Sequence, residues 1–272
     1  MDQVRQVLRY HHYAYRTEQT YCDWIVRHIK YFGAKRHPRD MGKTEIESFL
    51  SNLATRQKVS ASTQRQALNA IIFLYRHVLH QSIEDQIEPI KAKRRTRPPV
   101  VLTKSEVQRV FAQMQGNHLL MAKLLYGAGL RLMECIRLRV QDLDFERKLL
   151  YIRAAKGNKD RTTILPKSIH QEMRHQLEEV RIIHDKDLAQ GYGSVFLPEA
   201  LSRKYPHAAK EYRWQYVFPA KSRSVDPRSG VEQRHHVLES GLQKAVKLAV
   251  DRAGITKRVG CHTAPLPCNP YA

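Results

Sequence analysis

Apolar residues recur at helical spacing from residue 1 to about residue 85. Val4, Val7, Leu8 and His11 fall on one face of a first helix, and Tyr21, Trp24, Ile25, His28, Ile29 and Phe32 on one face of a second, which Gly33 can end. Thr44, with Glu47 three residues on, has the form of a capping box and opens a third helix with Ile46, Phe49, Leu50 and Leu53 as its apolar side. Ser62 opens a fourth, with Leu68, Ile71, Ile72, Leu74, Tyr75 and Leu79 toward a core. Four such helices predict a small bundle. The periodicity stops at Glu88, where a run to Pro99 with proline near both ends and five basic residues between them predicts an extended, charged connector. A second capping box, Thr103 with Glu106, then opens helices near 104–114 and 117–128, with another after Leu130. Leu149–Ile152 and Thr162–Leu165 read as short strands around the turn signal Gly157-Asn158-Lys159-Asp160. Pro166 closes that unit, a helix starts near Ser168, residues 189–232 are loop-rich, and a last helix runs near 237–253. The fold class is therefore mainly α with a small β-hairpin. It has an N-terminal four-helix domain (1–87), a linker (88–101) and a second domain (102–263) with an insertion at about 189–232, followed by a tail of different character (264–272).

Composition sharpens this picture. The 272 residues are 42% hydrophobic, enough for packed cores, and 47 Lys+Arg against 26 Asp+Glu leave a formal charge of +21. An excess of that size calls for an anionic partner, with nucleic acid first and a merely solvated basic surface as the alternative. Arg5, Arg9, Arg16, Arg27, Lys30, Lys35, Arg36 and Arg39 make the surface of the first bundle basic. The connector, with Arg94 and Arg95, either lies along a phosphate backbone or is a soluble tether. Four scattered cysteines (Cys22, Cys135, Cys261, Cys268) do not form a disulfide framework and suit a reducing cytoplasm. Cys261, His262 and Cys268 lack the fourth ligand of a zinc site, so no metal is expected. The opening Met1-Asp2-Gln3-Val4-Arg5 lacks the apolar core of a signal peptide, and no apolar run reaches membrane-span length, so no membrane partner is expected.

The residues with chemistry begin at Gly127-Ala128-Gly129-Leu130-Arg131-Leu132-Met133-Glu134. The glycines bend the chain into a helix start, and Arg131 there has a planar fork suited to two phosphate oxygens. Lys156, beside Gly157, sits on the tip of the predicted hairpin. Each alone reads as a surface charge. Together, Gly-Leu-Arg-x-x-Glu, then Leu138, Asp142, Leu143 and Asp144, then Lys156-Gly-Asn-Lys-Asp-Arg161 resemble the tyrosine recombinase (phage integrase) family, including its step from first arginine to hairpin lysine. The resemblance implies an N-terminal core-binding, SAM-like domain and a catalytic domain that together clamp DNA. Leu197-Pro198-Glu199-Ala200-Leu201, Lys204-Tyr205-Pro206, Trp214–Pro219 and Asp226-Pro227-Arg228-Ser229-Gly230, with the opening Leu8-Arg9-Tyr10-His11-His12-Tyr13, resemble the integron integrases. Members of that subfamily recombine gene-cassette sites and bind a folded single strand of the site. The resemblance makes Trp214, Pro227 and His236 the residues that stack on or enclose protruding bases, with ordinary loop packing as the alternative; Lys159, Arg161, Arg94 and Arg95 are further expected DNA contacts.

The mechanism that the resemblance implies is cofactor-free phosphoryl transfer. A tyrosine attacks a phosphodiester, two arginines and histidine-type donors stabilise the transition state, and the hairpin lysine protonates the leaving 5′ oxygen. Arg131 then is the first arginine, Lys156 the general acid and His262 the start of the second motif, while Glu134 orients Arg131 or caps its helix. After His262-Thr263 the family pattern of Leu-Arg-His is replaced by Ala264-Pro265-Leu266-Pro267, so the second arginine's position holds Pro265. Prolines forbid the helix expected there. The nucleophilic tyrosine is not found either, since Tyr271 sits in this proline-rich tail. The expectation is a truncated, inactive catalytic domain in a bacterial, nucleoid-associated protein. Its partners would be DNA at cassette sites and other integrase protomers.

Overall fold

The computed structural model describes residues 1–34, 36–82, 87–93, 100–155, 159–197 and 199–265. They fall into two compact units, Met1–Arg97 and Pro98–Ala272.

The first unit contains α1 (Asp2–Tyr10), α2 (Tyr15–Tyr31), α3 (Lys43–Thr55) and α4 (Ala61–Phe73), whose chain continues as a π-helical stretch Leu74–Leu79. The apolar faces expected from the periodicity meet in one core around Leu8, Ile25, Ile46, Phe49, Leu50, Leu53, Ile71 and Tyr75, all fully buried or nearly so. The Tyr75 hydroxyl donates to the carbonyls of Pro38 and Met41 at 2.9 and 3.0 Å, which ties the α2–α3 connection to the end of α4. Glu18, also fully buried, accepts both arms of the Arg9 fork at 3.1 and 2.9 Å, so its charge enters the core already paired.

Two helix starts differ from the sequence expectation. For α3 the cap is Gly42, whose amide donates to Glu45 at 2.8 Å, and not Thr44 with Glu47. A glycine cap has no hydroxyl to reveal it in the sequence. For α4 the cap is Ser60, whose hydroxyl accepts from the Thr63 amide at 3.2 Å, and not Ser62. The segment Glu88–Ala92, expected to begin a linker, is hydrogen-bonded to side chains of α3 and α4. Arg94 and Arg95 lie outside the described residues.

In the second unit β1 (Val101–Leu102) precedes α5 (Lys104–Phe111), α6 (Gly116–Gly127) and the five-residue α7 (Leu132–Ile136). Thr103 and Glu106 form the expected capping box, with the Glu106 amide on the threonine hydroxyl at 3.2 Å and the Thr103 amide on the carboxylate at 2.7 Å. β2 (Leu143–Asp144), β3 (Leu149–Ala155) and β4 (Lys159–Ile164) form an antiparallel sheet in that order, with Ile152 opposite Arg161. Then come α8 (His170–Ala189), α9 (Glu199–Lys204), the small hairpin β5 (Ser224–Val225) and β6 (Glu232–Gln233), α10 (Glu239–Arg252), and β7 (Ala264–Pro265), which pairs in parallel with β1. α6 carries Leu120, Met121, Ala122 and Leu124, all buried, at the centre of the core.

The insertion at 189–232 is loop-rich as expected, but it is no appendage. Val217 and Phe218 are wholly buried in the main core. The stretch around them is laced to the unit on both sides, by Val140 N–H to Gln215 (3.0 Å) and Val217 N–H to Leu138 (2.8 Å) on one, and by Val237 N–H to Phe218 (2.9 Å) and Ala220 N–H to His235 (2.7 Å) on the other. Among the described residues, no helix is long and apolar enough to cross a membrane.

His28 generates a test of this fold. It is fully buried between Phe32 and Phe49, neither ring nitrogen has a hydrogen-bond partner among the described residues, and burial pulls its pKa down to about 4. Between about pH 6.5 and 4 the unfolded chain takes up a proton that the folded chain refuses, so stability falls as the pH falls through that window. The pH-dependent loss from this residue is on the order of 3 kcal/mol. Urea titrations of His28→Leu at pH 7 and pH 4.5 should show a smaller drop than the wild type by an amount of that order; equal drops would contradict it.

Candidate active site and the inserted module

Two glycines set the entry to the site. A Cβ on Gly127 would come within 2.8 Å of Pro166, and Gly129 has φ +62°, where side-chain-bearing residues are strained. The chain therefore turns sharply and delivers Arg131 to the first position before α7. Glu134, three residues on, does two jobs. Its carboxylate accepts the Arg131 amide at 2.9 Å, which starts the helix, and it pairs with the Arg131 guanidinium at 2.6 Å. A third contact comes from β4, where Arg161 donates to Glu134 at 2.8 Å and to the Gly129 carbonyl at 3.3 Å. The Glu134 side chain is only 8% exposed. Burial opposes its charge, but the Arg131 amide and the two guanidinium groups outweigh burial and hold the carboxyl below its ordinary range. Arg131 itself stays half exposed, at 51%, with one edge fixed and the rest of its fork open.

His262 reaches the same place from the far end of the chain. Arg131 and His262 line one cavity of about 330 Å³, together with Gly129, Leu130, Cys261 and Thr263 and an apolar wall that includes Val107, Phe111 and Val246. The approach is held by the β1–β7 pairing and by Lys257, which donates to Glu106 at 2.8 Å and to the Val101 carbonyl at 3.2 Å. A tight turn closes it, with the Gly260 amide on the Thr263 hydroxyl at 2.7 Å. His262 is exposed. The residues after Thr263 are extended, at Ala264–Pro265, where a helix would stand if the resemblance continued. Lys156 lies outside the described residues, as does the side chain of Lys159. Arg161, expected as a DNA contact, holds Glu134 and keeps 35% of its side chain exposed.

Of the three residues expected to meet protruding bases, two are joined. Arg139 sits between them and was not singled out in the sequence. Its guanidinium donates to the carbonyls of Trp214 and Phe196 and to the Tyr216 hydroxyl at 3.3 Å, and it lies 4.4 Å over the Tyr216 ring and 5.9 Å from the Trp214 ring. His236 stands edge-on to Tyr216 at 5.2 Å and donates from Nδ1 to the Val237 carbonyl at 2.8 Å; burial lowers its pKa. Trp214 is half-buried, and its indole nitrogen is buried with no partner among the described residues. Pro227 stands apart, exposed between β5 and β6, in a turn that Asp226 organises by accepting the Arg228 and Ser229 amides at 2.9 and 2.8 Å. Asp187 on α8 anchors that hairpin. It takes Arg234 at 2.6 and 2.7 Å and Arg223 at 3.0 Å, and the Arg234 fork is the main reason its carboxyl stays below the ordinary range.

Arg139 was legible in retrospect. Its amide donates to Asp142 at 3.0 Å, the same three-residue spacing as Thr103 with Glu106 and Arg131 with Glu134. Asp142 is 5% exposed and also accepts Arg153 at 2.7 Å; burial pushes its carboxyl up against the pull of those arginines.

Residues 1–85 match the model of a phage integrase N-terminal SAM-like domain, and residues 100–264 match that of the phage integrase family. An integrase/recombinase of Escherichia coli is 46% identical over 263 residues, which is 97% of this chain and 78% of that protein. Among solved structures, the XerH site-specific recombinase bound to palindromic difH substrate shares the fold with a TM-score of 0.55 at 16% identity, over 90% of this chain and 65% of that one. A lambda integrase tetramer bound to a Holliday junction gives 0.53 at 14% identity, over 97% and 64%. With both units matched in order and nearly the whole length aligned to a close relative, this chain belongs to the phage integrase family.

Proposed function

We propose that this chain is a site-specific tyrosine recombinase of the integron integrase type that acts on gene-cassette sites. In its present sequence it binds DNA without completing strand transfer. The observation that carries the reading is the meeting of Arg131 and His262, remote in sequence, on one cavity, with Glu134 aligning the arginine. A scissile phosphate seated there would give its non-bridging oxygens to the open edge of Arg131 and to His262. Lys156, carried on the hairpin whose strand β4 is tied to Glu134 by Arg161, would hand a proton to the 5′ oxygen as it leaves. The attacking tyrosine would take the phosphoryl group as a 3′ phosphotyrosyl ester, which keeps the bond energy for rejoining. None of these steps calls for a metal or cofactor.

The second arginine of this chemistry corresponds to Pro265, which has no donor and sits in a strand. Loss of one such donor costs about 2.7–4 kcal/mol of transition-state stabilisation, roughly a hundredfold to a thousandfold in rate. DNA affinity rests on dispersed charge and survives that loss. The same proline favours a second reading, a remnant that occupies recombination sites at the nucleoid without cutting. Assembly with other integrase protomers is part of the first reading, since the lambda integrase of the solved structure is a tetramer on its junction.

The inserted module supplies the specificity. Trp214 and His236, brought together through Tyr216 and Arg139, would hold bases that protrude from a folded strand, with about 1–3 kcal/mol for each stacked base.

Three outcomes are expected. In a phosphotyrosyl trapping assay on a nicked cassette-site substrate this chain gives no covalent adduct, and an adduct would refute its inactivity. Arg131→Ala lowers the slope of log affinity against log salt on duplex by about 0.9, one phosphate contact, and an unchanged slope would remove Arg131 from the phosphate. Arg139→Met and Trp214→Ala each weaken binding of a folded single strand by about tenfold relative to duplex in gel shifts; equal loss on both DNAs would reduce the module to ordinary packing.

A further inference from the structure

The segment after the first bundle is docked on it. Every second residue of Glu88–Ala92 gives its amide to the bundle, as along a strand edge. The Glu88 amide donates to Glu47 at 2.6 Å, the Ile90 amide to the Ser51 hydroxyl at 3.0 Å, and the Ala92 amide to the Gln64 side-chain oxygen at 2.9 Å. The Gln64 nitrogen completes the dock, with bonds to the Ile90 carbonyl at 2.7 Å and the Leu50 carbonyl at 2.9 Å. Gln64 is 7% exposed, so one buried amide spends its donors and its acceptor on holding this segment to α3 and α4. A buried amide of this kind is costly to leave unpaired, which makes the docked form the stable one. Lys91 on the docked segment and Lys93 immediately after it are exposed.

We infer that Gln64 is a positioning residue for DNA binding. It fixes Glu88–Ala92 as a strap on the first unit, so that Lys91 and Lys93 meet the phosphate backbone already ordered. The proposal rests on the DNA-binding reading above. A free connector would have to be ordered as it bound, and that entropy would weaken the complex. A docked one contributes its charges without that loss. Gln64 would then alter affinity without altering the number of phosphates contacted, and this separates positioning from direct contact.

The test uses the whole chain in three forms: wild type, Gln64→Leu, and Lys91→Gln with Lys93→Gln. Tryptic cleavage after Lys91, followed by mass spectrometry, reads strap release, and duplex affinity across a salt series reads contact. Gln64→Leu should speed that cleavage by about tenfold or more. It should weaken duplex binding by about threefold to tenfold with the wild-type salt slope. The double lysine variant should flatten the slope by about 1.8. Ser51→Ala, which removes a strap acceptor without disturbing the buried amide, should act in the same direction but less, and it carries the test if Gln64→Leu lowers the melting temperature of the first unit. Cleavage unchanged in both variants, or release with wild-type affinity, overturns the inference. A wild-type chain with no salt-dependent duplex affinity overturns the DNA reading itself, and the strap's role with it.

Discussion

The site depends on one buried carboxylate. Glu134 accepts the backbone and the guanidinium of Arg131 and the guanidinium of Arg161, so a helix start, the arginine proposed to bind phosphate and a strand of the hairpin converge on two oxygens. Without it the start of the short α7 loses its cap, Arg131 loses its aim and Arg161 of β4 loses its carboxylate partner. A charge at 8% exposure is tolerable only because both oxygens are occupied by cationic or amide donors, and those donors hold it ionised. The geometry therefore presents Arg131 half-tethered, with an open edge for an anion.

The same device recurs. Thr103 with Glu106, Arg131 with Glu134 and Arg139 with Asp142 each use an acid three residues on to take up the amide at a helix start. In the last two the residue at the start is itself an arginine whose guanidinium then does something else. Arg131 faces the cavity, and Arg139 gathers Trp214, Phe196 and Tyr216 of the insertion. One backbone motif thus fixes both the chemical centre and the module proposed to read DNA structure. Asp187, with Arg223 and Arg234, does the equivalent for the β5–β6 hairpin.

Much of this was legible in the sequence, for identifiable reasons. The helical periodicity of Ile46, Phe49, Leu50 and Leu53 or of Ile25 and Trp24 reports burial directly, and these residues form the core. The Gly-x-Gly-Leu-Arg-x-x-Glu pattern encodes its own geometry, because the φ of Gly129 and the three-residue reach of Glu134 are local properties. Non-local partnerships were not legible. Nothing near Gln64 announces that it will hold Ile90 and Ala92, and the aromatic, proline-rich insertion gives no period to show Val217 and Phe218 entering the main core. The Gly42 cap was hidden because the residue has no side chain to signal it. The pairing of Arg161 with Glu134 was hidden because the two are distant in sequence.

The central claim is that Arg131 and His262 bind the same phosphate. Duplex cassette sites with a single neutral methylphosphonate, placed in turn at each backbone position of the core, test it directly when combined with Arg131→Ala and His262→Ala. A shared phosphate gives one position at which neutralisation abolishes the affinity loss from both substitutions. Losses that persist at every position, or that vanish at two different ones, would contradict it.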